Sequence, residues 1–452
     1  MNRDNIDFRN GEIGRLFRSL FFPTLVAMVF NSALNICDGM FVGHGVGPDA
    51  LAAINIVAPY FMLCIGIGLM FGFGASVIGS IRLSEDNVKA ARIIMTQAYL
   101  AGAVIFAIAI ALTLIFTDEI LYLLGSSDRL IGQARSYLLW LLPGFFFFYL
   151  QCVGMMLVRL DGSPKYAMSV QIVAAVLNIF LDWLMVFPLD MGISGASIAT
   201  SFSCVVGGTM VLVYFIFFSD KLKFYRLKRT RKSLMLTLRN IGYMSRIGFA
   251  TFLSEIAMGG MMVTGNYMFL QRLGEAGVAA FSVGCYLFPI IFSISNAVAQ
   301  SSQPIISFNY GAHDMTRVFK ALRLALGTAT LCGLLISICM WTGSPFLASI
   351  FLPAETEAFA IAADGLPLLG LCSLFFAVNI TFIGYYQSTE RVVASTVYSM
   401  LRGIIFVIPA FILLTSLLGN NGLWLAVPSA ELLTMIIIIA VYLAGKRRLV
   451  KD

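Results

Sequence analysis

Four acidic residues sit deep inside apolar stretches of this chain: Asp38, Asp182, Glu255 and Glu431. An aspartate at the centre of a membrane-spanning helix costs about 2.5–3.5 kcal/mol on insertion scales. Such residues face a cavity or a partner rather than lipid. Their neighbours follow the helical period. Asn31, Asn35 and Asp38 are spaced i, i+4 and i+7, while Gln171, Asn178 and Asp182 are spaced i, i+7 and i+11. Each set therefore shares one face of a helix. Thr200 and Ser201 add hydroxyls from the next apolar run. If these faces converge, two carboxylates and several neutral oxygens share one pocket. A hard cation such as Na+ prefers oxygen ligands, which makes Asp38 and Asp182 candidate metal ligands. A proton needs only one carboxylate, desolvated and beside a like charge. The Asn and Thr side chains fit equally well as hydrogen-bonding links between helices.

A second set has a different chemistry. Glu255 is followed by Met258, Met261, Met262 and Met268, and Tyr286 lies in the next run. A carboxylate near flexible, polarizable thioethers suits lipophilic cations of varied shape. An aromatic ring adds cation–π attraction. Glu255, Met258, Met262 and Tyr286 are therefore candidate substrate-binding residues, although methionine also fills gaps in any core. Glu431 is either another cation contact or the partner of Arg402, and Asp364 lies near a span end.

The elements that must position these groups are membrane helices. The 452 residues are 59% apolar and only 12% charged, against about 25% charged in soluble domains. So much apolar surface exceeds what one soluble core can hide. Runs of about 20 apolar residues are long enough to span a bilayer. They fall at about 17–42, 51–78, 93–116, 133–157, 165–187, 193–218, 240–270, 277–303, 317–341, 358–384, 392–417 and 422–445. Continuous runs imply helices, since barrel strands alternate. The expected fold is an all-α membrane protein of twelve transmembrane helices. No secretory signal peptide is expected, because the first apolar run is too long for one.

With the N-terminus inside, the loops sort by charge. Of the 30 lysine and arginine residues, only Arg129, Arg135 and Arg272 fall outside, with Arg246 and Arg402 within spans. This bias places both termini in the cytoplasm. The net charge of +7 is then a topology signal, and a nucleic-acid partner is not expected. The eight cysteines lie in apolar runs without a Cys-x-x-Cys spacing, as packing residues rather than metal ligands.

A repeat organises the spans. The stretch from Gly47 to Ala53 resembles that from Gly274 to Ala280, and the same offset of 227 pairs Gly192 with Gly419 and Gly195 with Gly422. Six spans per half make the repeat parallel, about an axis along the membrane normal. The expected divisions are an N-terminal lobe at 1–218, a basic cytoplasmic linker at 219–239 and a C-terminal lobe at 240–452. Asp38 and Asp182 correspond to Gly265 and Pro409 in the second half, so ion coupling is expected in the first. Pro23 precedes the polar face of span 1, where a bend would link ion binding to cleft shape.

Several function classes are excluded. There is no Gly-x-x-x-x-Gly-Lys-[Ser/Thr] loop, which disfavours nucleotide-driven pumping. The two histidines, His44 and His313, lie in loops, so no nucleophile–histidine pair is available in the spans and an enzyme is not expected. The stretch Gly79–Asp86 lacks the Gly-x-x-x-Asp-Arg-x-Gly-Arg-Arg pattern of the major facilitator superfamily. The chain instead resembles the multidrug and toxic compound extrusion (MATE) family along nearly its whole length. Asp38-Gly39-Met40-Phe41-Val42-Gly43, the stretches Arg159–Met168 and Gly192–Thr200, and Gln303–Ala312 carry the resemblance. It implies a V-shaped pair of six-helix lobes in a bacterial cytoplasmic (inner) membrane. It implies antiport, with organic cations exported against entering Na+ or H+ and no other cofactor. Asp38, Asn178, Asp182 and Thr200 match that family's first-lobe cation site, joined here by Asn35 from the same helical face. Glu255 resembles the acidic residue of span 7 in some branches. The chain is expected to act as a monomer in the lipid bilayer on small organic cations. The alternative is a flippase for a lipid-linked glycan, which would need a cationic cleft.

Overall fold

The computed structural model describes residues 6–228 and 230–449, and every regular element there is helical. In chain order these are α1 (Ile13–Gly45), α2 (Pro48–Ser84), α3 (Val88–Ile115), α4 (Thr117–Leu123), α5 (Ile131–Leu160), α6 (Pro164–Val186) and α7 (Gly192–Val213). Then come α8 (Arg231–Gly311), α9 (Met315–Thr342), α10 (Ser344–Phe351), α11 (Glu357–Gly370), α12 (Cys372–Ser388), α13 (Val392–Met400), α14 (Val407–Leu418) and α15 (Asn420–Leu449). Wider π turns follow α7 at Tyr214–Phe218 and α13 at Leu401–Ile405.

Among the described residues, eleven helical stretches are long and apolar enough to cross a membrane. One of them, the 81-residue α8, breaks at Gly274, whose φ of 63° is not helical. Its two arms supply two crossings, giving the twelve expected. Most helices outrun their apolar stretches: α2 reaches Ser84 and α8 begins at Arg231. Hydropathy reads only the part of a helix facing lipid, while hydrogen bonding continues into polar sequence. Polar starts are capped as their residue types dictate. Asn87 accepts from the Ala90 amide, Thr230 from the Ser233 amide and Thr356 from the Phe359 amide, satisfying amides that lack an intrahelical partner.

The repeat is written in the backbone. Positive φ occurs at Gly47 and Gly274, at Asp86 and His313, and at Gly192 and Gly419. Each pair is separated by the offset of 227 read from the sequence. These are turns between spans, where a left-handed residue reverses the chain and glycine does so without steric cost. The structural duplication is thus carried by its corners.

Two compact units emerge, residues 1–255 with 304–318, and residues 256–303 with 319–452. In the first, α6 packs against both α1 and α7, and α7 against α5. Here the amino-terminal part of α8 lies tight against α2. A Cβ on Gly248 would stand 1.8 Å from the carbonyl oxygen of Met70, so only glycine permits that approach. Asp161, in the turn between α5 and α6, ties down the start of the basic linker. Its carboxylate accepts from the Tyr214 and Ser219 hydroxyls and from the amides of Asp220, Lys221 and Leu222. The second unit is built around Phe269, Phe281 and Trp424. The two phenyl rings stack with centroids 4.5 Å apart, and the indole stands edge-on to Phe269.

Candidate functional site

The two polar faces meet. Gln171 on α6 donates to Asn31 on α1 at 2.9 Å, and Gln151 on α5 donates to Gln171 at 3.2 Å. The Asn31–Gln171 bond sets the register of α1 against α6. Further along, Gly45 lies against Val186 and Phe187, so the two helices run parallel. Seven residues beyond Asn31 stands Asp38, and seven beyond Gln171 stands Asn178. Asp182 follows one turn later, about 6 Å further along the axis.

Around this point the groups are buried and hydrogen-bond acceptors outnumber donors. Asn178 and Asp182 are fully buried. Asn178 Nδ2 donates to Thr200 Oγ1 at 3.3 Å, linking α6 to α7. Its Oδ1, both oxygens of Asp182 and Oδ1 of Asp38 are buried without a hydrogen-bond partner among the described residues. Asp182 lies close enough to Asp38 for its charge to be felt, and no basic group among the described residues contributes there. Leaving a buried acceptor unmatched costs about 1–3 kcal/mol, more for a charged one. Four such atoms on three neighbouring residues mark a place prepared for something that donates or is positive. The side chain of Asn35 lies outside the described residues.

A group that sequence spacing had not singled out joins this cluster. Tyr137 of α5 is buried, and both Asp38 and Asp182 act on its phenol electrostatically. A lone tyrosine in an apolar helix carries no periodic signal, so only the packing of α5 against α7 and α6 brings it in.

The candidate substrate contacts are distributed otherwise. Glu255 is buried in the first unit, near Cys152 of α5. Met258 and Met262 pack against the core of the second unit. Tyr286 is 47% exposed and stacks flat on Phe351 with centroids 5.2 Å apart. Of the two readings of Glu431, the geometry takes the second. Arg402 donates to it through Nε at 3.1 Å and through a terminal nitrogen at 2.7 Å, and Asn379 Nδ2 donates at 2.7 Å. The guanidinium also lies over the Phe376 ring, 4.1 Å from its centroid. Asp364 is exposed on α11. No cluster of three or more His, Cys, Asp or Glu side chains suited to a metal occurs among the described residues.

Twelve apolar crossings in a duplicated frame, with unmatched carboxylates buried between helices, define a multi-pass membrane transporter. Residues 23–184 and again residues 250–412 match the MatE family, and the chain belongs to that family. The second match begins 227 residues after the first, the interval that separates the paired turns. The protein is a secondary active efflux transporter and not an enzyme. The multidrug export protein MepA of Staphylococcus saprophyticus is 24% identical over 430 residues, covering 93% of each chain. MepA of Staphylococcus aureus is 23% identical over 444 residues, covering 97% of this chain and 96% of that one. Among solved structures, an outward-facing multidrug resistance MATE transporter of the MOP superfamily superposes with a TM-score of 0.89 at 20% identity, over 98% and 97% of the two chains. A Pyrococcus furiosus transporter of that superfamily, described as having a binding pocket of reverse polarity suggesting a different function, gives 0.88 at 20% identity, covering 98% and 97%. Likeness at this level is one of fold.

Proposed function

We propose that this protein exports organic cations in exchange for an inward-moving Na+ or H+, and that Asp38 and Asp182 take up the coupling ion. One observation carries the reading: Asp182 is fully buried beside a partly buried Asp38, three of their carboxylate oxygens are buried without a partner, and no basic side chain pairs with them among the described residues. An uncompensated buried charge costs several kcal/mol, so the site is stable only with protons or a metal cation attached. Asn178 and Thr200 supply further oxygens for Na+, and Asn35 and Tyr137 lie on helices that border the site. Loading the site relieves the cost, and emptying it restores the cost. This makes site occupancy a lever on the packing of α1 against α6, and Pro23 lies within α1 to let it bend.

Glu255, Met258, Met262 and Tyr286 would contact the exported cation. The working division is an N-terminal lobe at 1–218, a basic linker at 219–239 and a C-terminal lobe at 240–452. A single chain would suffice, in a bacterial inner membrane with both termini cytoplasmic. The driving force is adequate: one charge entering down 100 mV yields about 2.3 kcal/mol, and a tenfold ion gradient adds about 1.4 kcal/mol.

The test is efflux of a cationic dye from proteoliposomes under a Na+ gradient alone and an H+ gradient alone. Asp38→Asn and Asp182→Asn should each abolish gradient-driven efflux while the protein stays folded and inserted. Wild-type rates in both variants would reject the assignment of the coupling site.

A further inference from the structure

On the second unit, a groove of about 680 Å³ opens between α13 and α15. Its walls are two apolar stripes at helical spacing: Val393, Val397 and Leu401 on one side, Ile437 and Val441 on the other. Ala394 also lines it, and its small side chain leaves room that a larger residue would fill. Val393 is 77% exposed, so the groove is open on its outer side, where the bilayer lies. From Val393 to Leu401 is eight residues, about 12 Å of helix, long enough to hold much of one acyl chain.

The groove ends in a charged mouth. Arg391 is exposed there and has no ion-pair partner among the described residues. Glu390 also borders the mouth but has a partner of its own. Arg391 is the residue preceding α13, and no side chain caps that helix start. The Arg391 and Val392 amides donate to the carbonyls of Tyr386 and Glu390, which leaves the Val393 and Ala394 amides as the helix-start donors, of the kind that receive phosphate oxygens. Tyr398 is already engaged with Tyr386 by a hydrogen bond and a ring contact at 5.3 Å, so the mouth offers donors from Arg391 and the backbone. An apolar channel that ends at an unpaired guanidinium and an uncapped helix matches an anionic phospholipid. Basic pockets beside membrane helices bind such lipids.

We propose that the α13–α15 groove binds one anionic glycerophospholipid, with an acyl chain between the two stripes and the phosphate on Arg391 and the first turn of α13. The site is separate from Asp38 and Asp182 and does not depend on which ion drives export. The experiment uses the full chain purified in detergent and exposed to equal amounts of phosphatidylglycerol and phosphatidylcholine with identical chains. Native mass spectrometry then counts the bound lipids. Wild-type protein should retain phosphatidylglycerol at least tenfold over phosphatidylcholine. Arg391→Gln should lose that preference, and Ala394→Trp should lose both lipids from this site. If Ala394→Trp does not elute as a folded monodisperse species, Val397→Phe narrows the same channel and carries the test. Equal retention of the two lipids by wild type, or wild-type binding in both variants, would overturn the proposal. So would displacement of the lipid by glycerol 3-phosphate at equal concentration, because a free phosphate does not use the apolar channel.

Discussion

Replacing Arg402 with methionine should be among the most damaging single changes in the second unit, and the geometry allows the cost to be worked out. Arg402 is 5% exposed and Glu431 is 3% exposed. The substitution removes both guanidinium donors to the carboxylate and the face-on contact with Phe376. Glu431 keeps only the donation from Asn379. Stranding one member of a buried ion pair costs about 3–5 kcal/mol. The lost cation–π contact adds about 1 kcal/mol. Glu431→Leu alone should cost a similar amount by stranding the guanidinium. The pair replaced together, Arg402→Met with Glu431→Leu, leaves no buried charge, and such exchanges are often neutral. What remains is the Asn379 amide, whose Nδ2 loses the carboxylate but keeps the main-chain carbonyl oxygen of residue 431 at 2.9 Å, and whose Oδ1 already lacks a partner among the described residues, at about 1 kcal/mol. The double variant should therefore be more stable than either single variant, with a coupling of at least about 3 kcal/mol. Unfolding in mixed micelles titrated with sodium dodecyl sulfate, over the complete cycle, reads each value. Additive single effects, with the double variant at their sum, would refute the reasoning.

Two further outcomes follow from contacts on the first unit. Asp161→Ala removes the acceptor for five donors that hold the start of the linker. The linker should then open locally, and trypsin should cut between Lys221 and Lys232 at least several-fold faster without loss of membrane insertion; an unchanged cleavage rate would show the contacts to be idle. Gly248→Ala puts a methyl 1.8 Å from the Met70 carbonyl oxygen, a clash with backbone that no rotamer relieves. It should cost about 2 kcal/mol or more in the same unfolding assay, whereas Gly242→Ala, which meets nothing within 4 Å, should be neutral or mildly stabilising.

The spans were readable because a bilayer imposes length and apolarity on every crossing, and the repeat was readable because paired turns need residues that tolerate positive φ. The polar faces of α1 and α6 were likewise legible as spacing. Their register was not, since Asn31 and Gln171 are 140 residues apart and nothing local states which rung meets which. Arg402 and Glu431 show the same limit. Both were visible as buried charges, yet their pairing depends on the approach of α15 to the π turn that carries Arg402. Asp161 stood within a recognisable stretch between Arg159 and Met168, but its hydrogen bonds go to a linker more than fifty residues away. Tyr137 left no trace at all, because one phenol in an apolar helix looks like packing.

The duplication sharpens what the buried charges are for. The turns at Gly47, Asp86 and Gly192 are matched in the second half by Gly274, His313 and Gly419, because every copy of the fold must turn its corners. The charges are not matched. Asp38 and Asp182 correspond to Gly265 and Pro409, while Arg402 and Glu431 correspond to Ala175 and Cys204. Each half therefore holds its own costly buried set, and the two differ in kind. Glu431 already has a fixed cation, its own arginine, bound at hydrogen-bonding distance. An incoming ion would have to displace that guanidinium and strand it. Asp38 and Asp182 have no such competitor among the described residues, so the proposed exchange of an ion from solution would displace nothing there. From this asymmetry we infer that the ion cycle runs in the first unit and that the Arg402–Glu431 pair holds helices together.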